Sequence, residues 1–345
     1  MIPSPESGSG IVRWDSMADN NDLPRRLTII TPVHNEEDGL DRYAEDVSRK
    51  ILARTDIDAR VLFVDDGSSD QSWKKIVALT KTSERFSAIR LSRNYGAHIA
   101  LAAGFDVVAG DTDAVATLAC DLQDPPETVL EFVQEWRNGA NIVWGKRRSR
   151  IDAGWRQQAS QLLETVLRRY AMPRGSRFTT GSFLLMDRAV LECFRQFREQ
   201  SRVTFALVAW TGFEQTVVSY DRAQRIHGKS GWTLGKMFNT ACDVFIGFSP
   251  IPAKFISGIG FGMFAISIAL ILYLMIVWAF QNVLPGWTGM MATMIFFFGI
   301  LFMMIGIMAE YLHRIFIESK NRPLYFISGQ AKGPQEATER VSRDD

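Results

Sequence analysis

Residues 114–127 read AVATLACDLQDPPE, a run of small and apolar residues that ends abruptly at Asp121. The run predicts a buried strand over 114–120. Gln123, a second acid and two prolines follow, and a central strand does not continue through prolines. In open α/β sheets, ligands bind just beyond the carboxyl ends of the strands. Asp121 and Gln123 are therefore the first candidates for a functional site.

The same pattern recurs on both sides of this stretch. Apolar runs predict strands at 27–33, 60–65, 86–92 and 141–145, and helices are predicted from Glu36 to about Ala53 and from about Ser69. Strands alternating with helices indicate an α/β fold with a mostly parallel, Rossmann-like sheet. Polar residues follow these strands: His34, Asn35 and Glu36; Asp65, Asp66 and Gly67; Lys146, Arg147, Arg148 and Arg150.

This mixture of acids and bases suits a ligand with hydroxyls and phosphates, neutralised by a metal and by arginines. On an extended chain, residues two apart point the same way. Asp121 and Gln123 would then offer a carboxylate and an amide oxygen to Mg²⁺ or Mn²⁺. Substrate phosphates commonly provide further ligands to such an ion. We expect the pair to hold the metal of a nucleoside diphosphate.

A structural role competes for several of these side chains. Asp124 as N-cap, Pro125 at N1 and Glu127 at N3 would form a capping box, and this interpretation is preferred for the two acids. Asp70, or Ser68 and Ser69, would in the same way cap the helix predicted from about Ser69.

Composition narrows the class of protein. The chain has 345 residues, with 39 Lys and Arg against 38 Asp and Glu, so its charge does not favour nucleic acid as a partner. Three distant cysteines form neither a disulfide framework nor a zinc pattern, as in a reducing cytoplasm. Residues 1–24 lack the features of a signal peptide and are predicted to be a disordered lead-in.

The C-terminal part is strongly apolar. No charged residue occurs between Lys254 and Glu310, and runs at about 255–280 and 288–309 each exceed the length that crosses a bilayer. They predict a two-helix transmembrane hairpin over 253–314, with a buried soluble hairpin as the alternative. Basic residues flank only its outer ends, so both termini and the catalytic domain are expected in the cytoplasm. Residues 231–252 predict an amphipathic juxtamembrane helix, and 315–345 a cytoplasmic tail.

Four segments together carry a family resemblance: TIITPVHNEEDGL, VLFVDDGSSDQSW, LSRNYGAHIALAAGFDVVAGD and DLQDPPE. They resemble family 2 inverting glycosyltransferases of the GT-A fold, and more narrowly polyprenyl-phosphate glycosyltransferases related to dolichol-phosphate mannose synthase. The tail AEYLHRIFIESKNRPLYFI is similar to that of the same subgroup. The resemblance places a GT-A domain at 25–230.

The resemblance also implies site residues. The nucleoside pocket would be lined by Pro32, Glu36, Asp65 and Asp66. Asp121 and Gln123 would bind metal and diphosphate, and Arg147 would meet the donor diphosphate or the acceptor phosphate. Arg222, Arg225 and Lys229 are candidates for the lipid phosphate, or equally are ordinary juxtamembrane charge that attracts anionic lipid.

Two positions depart from the family's pattern. Ala119 stands where a first acid is usual. Ser182, a candidate substrate-binding residue, stands where many members carry an Asp that is often taken as the catalytic base, and Asp187 lies too far along to replace it. The phosphate of a polyprenyl phosphate is already largely dianionic at neutral pH, so the reaction needs no general base.

The expected activity is transfer of a sugar from a nucleotide sugar to undecaprenyl phosphate at the inner membrane. UDP-glucose is the first expectation for the donor, with UDP-galactose, UDP-N-acetylhexosamine and GDP-mannose left open. The resemblance further implies a homo-oligomer, a separate flippase and a downstream transferase acting on a cell-envelope glycan. Three alternatives remain: a processive polysaccharide synthase, disfavoured by two helices and a missing Gln-X-X-Arg-Trp motif; a degenerate nucleotide-sugar-binding scaffold; and an anchored transferase with a non-lipid acceptor.

Overall fold

The computed structural model describes residues 25–148, 182–197, 199, 204–222 and 286–333, with isolated positions between 258 and 276. The strands are β1 (Arg25–Val33), β2 (Ile57–Asp65), β3 (Phe86–Leu91), β4 (Ala114–Thr117), β5 (Ile142–Arg147), β6 (Leu184–Asp187), β7 (Gln215–Tyr220) and β8 (Ile327–Ala331). The helices are α1 (Leu40–Val47, continued by a π-helical turn at Ser48–Leu52), α2 (Ser72–Thr82), α3 (Ala97–Val107), α4 (Pro126–Arg137), α5 (Arg188–Gln196), α6 (Thr204–Trp210) and α7 (Trp287–Ser319).

The strands form one eight-stranded sheet in the order β7-β5-β6-β4-β1-β2-β3-β8. β1 pairs in parallel with β2 and β4, β2 with β3, and β5 with β7. β6 runs antiparallel between β4 and β5, and β8 runs antiparallel along β3. Apart from β6 and β8, the strands of the described sheet therefore end at one common edge, which confirms the predicted mostly parallel α/β architecture.

The core lies in two layers, one on each face of the sheet. One layer joins β1 and β2 to α1, α2 and α4 through residues such as Tyr43 and Phe132. The other joins α3, α5 and α6 to the opposite face, with Phe105 and Phe194 in edge-to-face contact at 5.2 Å. Gly104 lets α3 approach closely, because a Cβ there would lie 2.5 Å from Ile30 Cγ2.

The five predicted strands are confirmed, with bounds that shift by one to three residues. β4 ends at Thr117 and not at Cys120, because the chain turns away from the sheet and Leu122 adopts a left-handed conformation (φ 51°). The helix predicted from Glu36 begins only at Leu40, because residues 34–39 form a loop beside the sheet edge.

The second of the two predicted membrane helices lies largely within the described residues. α7 holds one stretch, Phe296–Ser319, that is long and apolar enough to cross a membrane by length and composition, with a mean hydropathy of 1.7 and none of it buried inside the protein. The lead-in, the amphipathic helix over 231–252 and most of the first apolar run lie outside the described residues, so the hairpin stays a prediction. β6, β7 and β8 were not predicted. For β8, the tail returns from α7 and adds the edge strand next to β3.

Candidate active site

The strand order reverses beside β1, which defines a crevice. From β1 the chain builds β2 and β3 on one side, then returns to place β4 on the other. Ligands of open α/β sheets bind outside the carboxyl ends of the strands at such a switch point. The loops after β1, β2 and β4 meet here, together with the ends of β5 and β7.

Asp65 and Asp66 form the wall beside β2, and both are buried. Asp65 Oδ1 accepts a hydrogen bond from Ser68 N at 3.2 Å, and Arg90 Nε lies 3.1 Å from Oδ2 as an ion pair. Burial raises the pKa of Asp65, while Ser68 and Arg90 oppose that rise. The carboxylate of Asp66 accepts from the backbone N–H groups of Tyr95 and Gly96, so both of its oxygens organise the loop that opens α3.

The loop after β1 joins this wall through its backbone and side chains. Asn35, in a left-handed conformation (φ 55°), donates from its N–H to Ser68 Oγ and accepts from Ser69 N. Glu36 N donates to Ser72 Oγ at 2.9 Å. Pro32 is half-buried at the end of β1, opposite Val64. The four residues expected to line the nucleoside pocket thus lie along one part of the crevice.

Asp121 and Gln123 follow β4, but not on an extended chain. The left-handed Leu122 between them folds the backbone, and Asp121 Oδ1 accepts from Gln123 N at 3.2 Å. The expectation that the two side chains point the same way because the chain is extended is therefore wrong. Asp121 remains half-exposed at the crevice, whereas Gln123 is buried.

The capping interpretation of Asp124 is also wrong. α4 begins at Pro126, its N-cap is Pro125, and no side chain caps it. Glu127 lies in the first turn and pairs with Lys50 Nζ at 2.9 Å. Asp124 is buried, and its Oδ1 accepts a hydrogen bond from Tyr220 Oη at 2.6 Å.

The region around Asp124 is strongly charged. Arg222 Nε lies 3.7 Å from Asp124 Oδ1, and Arg147 Nε lies 3.4 Å from Tyr220 Oη. Burial raises the pKa of Asp124, opposed by the Tyr220 hydrogen bond and by both arginines. Burial raises the pKa of Tyr220 as well, so the hydroxyl stays protonated and can donate. Partial burial and the charge of Arg147 lower the pKa of Arg222, and Asp121 opposes that change.

Ser182 joins the same edge from the antiparallel β6. It is exposed, and its carbonyl accepts from Thr117 Oγ1 at the end of β4. Asp187 lies at the other end of β6, opposite Ala114, where it caps α5 through Val190 N. Asp187 is thus at the opposite edge of the sheet and does not replace Ser182. Arg225 and Lys229 lie outside the described residues.

The sequence analysis missed two members of this group, Asp124 and Tyr220. Asp124 stands just before a predicted helix, so its local sequence favoured a helix cap over its contacts with Tyr220 and Arg222. Tyr220 ends the alternating run QTVVSY, and only a parallel pairing of β5 with β7 would have placed it beside Arg147.

A divalent metal fits this site only in part. Within the described residues no group of three or more His, Cys, Asp or Glu side chains could hold a metal ion. Asp121 and Gln123 provide a carboxylate and an amide, so an ion here would take its other ligands from substrate phosphates and water, as Mg²⁺ commonly does.

Comparison with known proteins identifies the family. The pattern of Glycosyl transferase family 2 matches residues 28–195. An uncharacterised glycosyltransferase of Synechocystis is 34% identical over 304 residues, covering 88% of this chain and 94% of the relative. The chain belongs to glycosyltransferase family 2. The protein is therefore a glycosyltransferase with the GT-A fold of that family.

Two other glycosyltransferases are also similar to this chain. The SfII prophage-derived bactoprenol glucosyl transferase of Shigella flexneri is 29% identical over 310 residues, covering 89% of this glycosyltransferase and 99% of the relative. A mannosyltransferase of Pyrobaculum calidifontis, solved with GDP-Man and Mn²⁺, superimposes with a TM-score of 0.44 and 17% identity over 61% of this chain and 60% of that one.

Proposed function

We propose that this glycosyltransferase transfers a hexose from a nucleotide sugar to the phosphate of a polyprenyl phosphate, with inversion at the anomeric carbon. The main support is the cluster at the switch point, where Asp121, Arg147 and Arg222 lie around the buried carboxylate of Asp124. Guanidinium pairs recognise phosphate, and both substrates carry phosphate. The name of the Shigella relative supports a bactoprenol acceptor and a glucosyl donor. UDP-glucose is the first candidate from the family resemblance alone.

The chemistry requires little of the protein beyond positioning and charge neutralisation. A phosphate oxygen of the acceptor attacks the anomeric carbon while the bond from that carbon to the diphosphate oxygen breaks, and the nucleoside diphosphate leaves with the bonding electrons. The acceptor phosphate has a second pKa near 6, so no proton has to be removed at neutral pH. An exposed Ser182 in place of a carboxylate is compatible with this reaction.

The arginines act on the phosphates. Donors that are already oriented toward developing negative charge stabilise the transition state without reorganising. Arg147 and Arg222 would bind the phosphate groups, while Asp65 and Asp66 hold the nucleoside wall through Arg90, Ser68 and the loop before α3. A bound Mg²⁺ or Mn²⁺, held at Asp121 and Gln123, would neutralise the departing diphosphate. Arg225 and Lys229 remain proposed contacts for the lipid phosphate.

Membrane attachment is part of the proposal. The apolar stretch of α7 supports it by length and composition, and a polyprenyl acceptor resides in a bilayer. Basic residues outside the two apolar runs favour a catalytic domain on the cytoplasmic side of the inner membrane, with both termini there. The lipid-linked sugar would then cross by a separate flippase and serve a downstream transferase of the cell envelope. Self-association is proposed from family resemblance.

The test is a donor panel with the purified full-length protein in detergent, undecaprenyl phosphate and Mg²⁺ or Mn²⁺. Mass spectrometry would detect the polyprenyl-phosphate sugar. We expect one donor to give product, and Asp121→Ala to lower kcat by about 10²-fold or more, as for loss of other electrostatic transition-state stabilisers. Asp111→Ala is the matched control, because Asp111 pairs with Arg26 at the opposite edge of the sheet.

Three results would count against the proposal in different ways. Product formed on a soluble acceptor without lipid would replace the acceptor class. Nucleotide binding with no product from any donor would favour a degenerate scaffold and direct attention to Ala119 and Ser182. Full activity in Asp121→Ala would remove Asp121 from the site.

A further inference from the structure

A buried carboxylate lies behind the basic residues of the active site. Asp124 is 3% exposed, and one of its oxygens is close to two partners, the Tyr220 hydroxyl at 2.6 Å and Arg222 Nε at 3.7 Å. The two partners are about a hundred residues away in sequence, at and just after the end of β7. Asp124 therefore connects the loop after β4 to the end of another strand.

Tyr220 links Asp124 to the second arginine. It is the last residue of β7 and lies in register with Arg147, the last residue of β5. Its hydroxyl accepts from Arg147 Nε at 3.4 Å while it donates to Asp124. One hydroxyl thus connects a guanidinium to a carboxylate, a geometry that needs both a donor and an acceptor on the same atom.

Packing fixes the position of that hydroxyl. The Tyr220 ring is buried and meets the Phe183 ring edge-to-face, with centroids 5.3 Å apart. Gly145 leaves room for it, because a Cβ at that position would lie 3.0 Å from Tyr220 Cε1. The ring therefore has little freedom, and the hydroxyl is an immobile anchor.

Two guanidinium groups, Arg147 and Arg222, flank the Tyr220–Asp124 pair, and Asp121 is a second acid whose charge reaches Arg222. The Arg222 side chain is 32% exposed, which leaves it accessible to a ligand. Like charges held together repel, and an incoming anion relieves that repulsion. Phosphate matches the fork of donors that two guanidiniums present.

We propose that Asp124 and Tyr220 are positioning residues that hold Arg147 and Arg222 as a two-arginine clamp for a substrate phosphate group. This deepens the proposed function and rests on it for the identity of the substrates. The clamped phosphate belongs either to the nucleoside diphosphate of the donor or to the polyprenyl phosphate of the acceptor. Neither positioning residue touches the substrate; each acts through an arginine.

The test compares Tyr220→Phe and Asp124→Asn with the wild type. Tyr220→Phe keeps the packed ring and every charge but removes the hydroxyl. We expect it to weaken phosphate binding about tenfold, because the guanidiniums lose their fixed orientation. Asp124→Asn keeps the shape and adds one net positive charge, which by Coulomb's law alone would strengthen anion binding. A clamp held by Asp124 predicts the opposite, a weakening of about tenfold.

Asp221→Asn is the matched control. Asp221 also pairs with an arginine at this end of β7, Arg148 at 3.3 Å, but it is 69% exposed. Exposed ion pairs contribute little, so this variant should bind as the wild type does. Thermal midpoints of all the variants would show that each is folded.

Two measurements distinguish the two phosphate sources. Calorimetric titration with UDP, and with GDP if UDP does not bind, reports on the donor diphosphate. The KM for undecaprenyl phosphate at saturating donor reports on the acceptor. A weaker nucleotide affinity in both variants assigns the clamp to the donor. An unchanged nucleotide affinity with a raised KM for the lipid assigns it to the acceptor.

Other outcomes overturn the clamp. These are unchanged binding constants for both substrates in folded variants, tighter binding by Asp124→Asn, or a wild type that binds neither nucleotide and uses no lipid. If the wild type makes no lipid-linked sugar but both variants weaken UDP binding, the clamp stands and the proposed acceptor fails. If lipid product forms normally in both variants with unchanged constants, the proposed function stands and the clamp fails.

Discussion

The variant Asp66→Asn would show whether the carboxylate of Asp66, in the loop after β2, has a structural role or binds a ligand. Asp66 is 3% exposed, and its two carboxylate oxygens accept from Tyr95 N at 2.7 Å and Gly96 N at 2.8 Å. Gly96 has a φ of 95°, so the loop that opens α3 takes a conformation that needs glycine and an external acceptor. In the variant, an amide N–H₂ must face one of these backbone donors.

The magnitude follows from the two bonds. A hydrogen bond to a charged group contributes about 1.5–3 kcal/mol, and a buried donor without an acceptor costs about 1–3 kcal/mol. Asp66→Asn removes the charge from both bonds and leaves one N–H without an acceptor, so we expect a loss of about 3 kcal/mol or more in the free energy of unfolding. For domains of this size, about 2–4 °C accompany each kcal/mol, which gives a fall in Tm of about 6–12 °C.

The assay is thermal unfolding of the purified protein in detergent, with UDP titration of the same samples at a temperature where both are folded. Asp41→Asn is the control, since Asp41 is 67% exposed and pairs only at the surface with Lys75, and its Tm should stay within about 1 °C of the wild type. A normal Tm in Asp66→Asn together with lost UDP binding would refute the argument and place the carboxylate on the nucleotide.

Two further predictions concern α3, the helix that packs on one face of the sheet through residues 100–105. Gly104→Ala should lower the free energy of unfolding by about 1–3 kcal/mol in denaturant titration despite better helix propensity, because its Cβ would meet the stiff side chain of Ile30 at 2.5 Å; a stabilised variant would contradict this packing. Burial lowers the pKa of His98 from its usual 6.5. The unfolded chain then binds the proton first as pH falls below about 6.5, so stability is fully present above that pH and falls below it, by at most about 1.4 kcal/mol per pH unit. In Tm measurements between pH 7.5 and 5, the difference between wild type and His98→Gln should therefore shrink or reverse on acidification, and a constant difference would argue against a partly buried neutral imidazole.

Local pattern was sufficient to predict five of the six parallel strands, and it missed β7. β1, β2, β3 and β5 are short apolar runs bounded by polar turns, and their ends deviate from prediction by only a few residues. Such runs report burial, which each residue's own chemistry largely fixes. The same reasoning predicted that polar residues after the strands would meet at one edge, as Asp65, Asp121 and Arg147 do.

Long-range pairing was not predictable in this way. β6 and β8 run against the other strands, and β8 comes from beyond α7 to cover the edge of β3. The hydrophobic periodicity of a segment does not predict which strand it will pair with, or whether the pairing is parallel or antiparallel. The apolar pattern of α7 indicated a membrane-length helix, but nothing in the tail revealed that it would return to the sheet.

The site shows the same division. The sequence by itself determined which residue types stand at the sheet edge, and the family resemblance supplied roles for Asp121, Gln123 and Arg147. Only the tertiary structure decided that Asp124 accepts a hydrogen bond from Tyr220 and pairs with Arg222, and does not cap α4. A helix cap depends on neighbours three residues away, whereas the preference of a buried carboxylate for one partner over another depends on which charges the fold brings within a few ångströms.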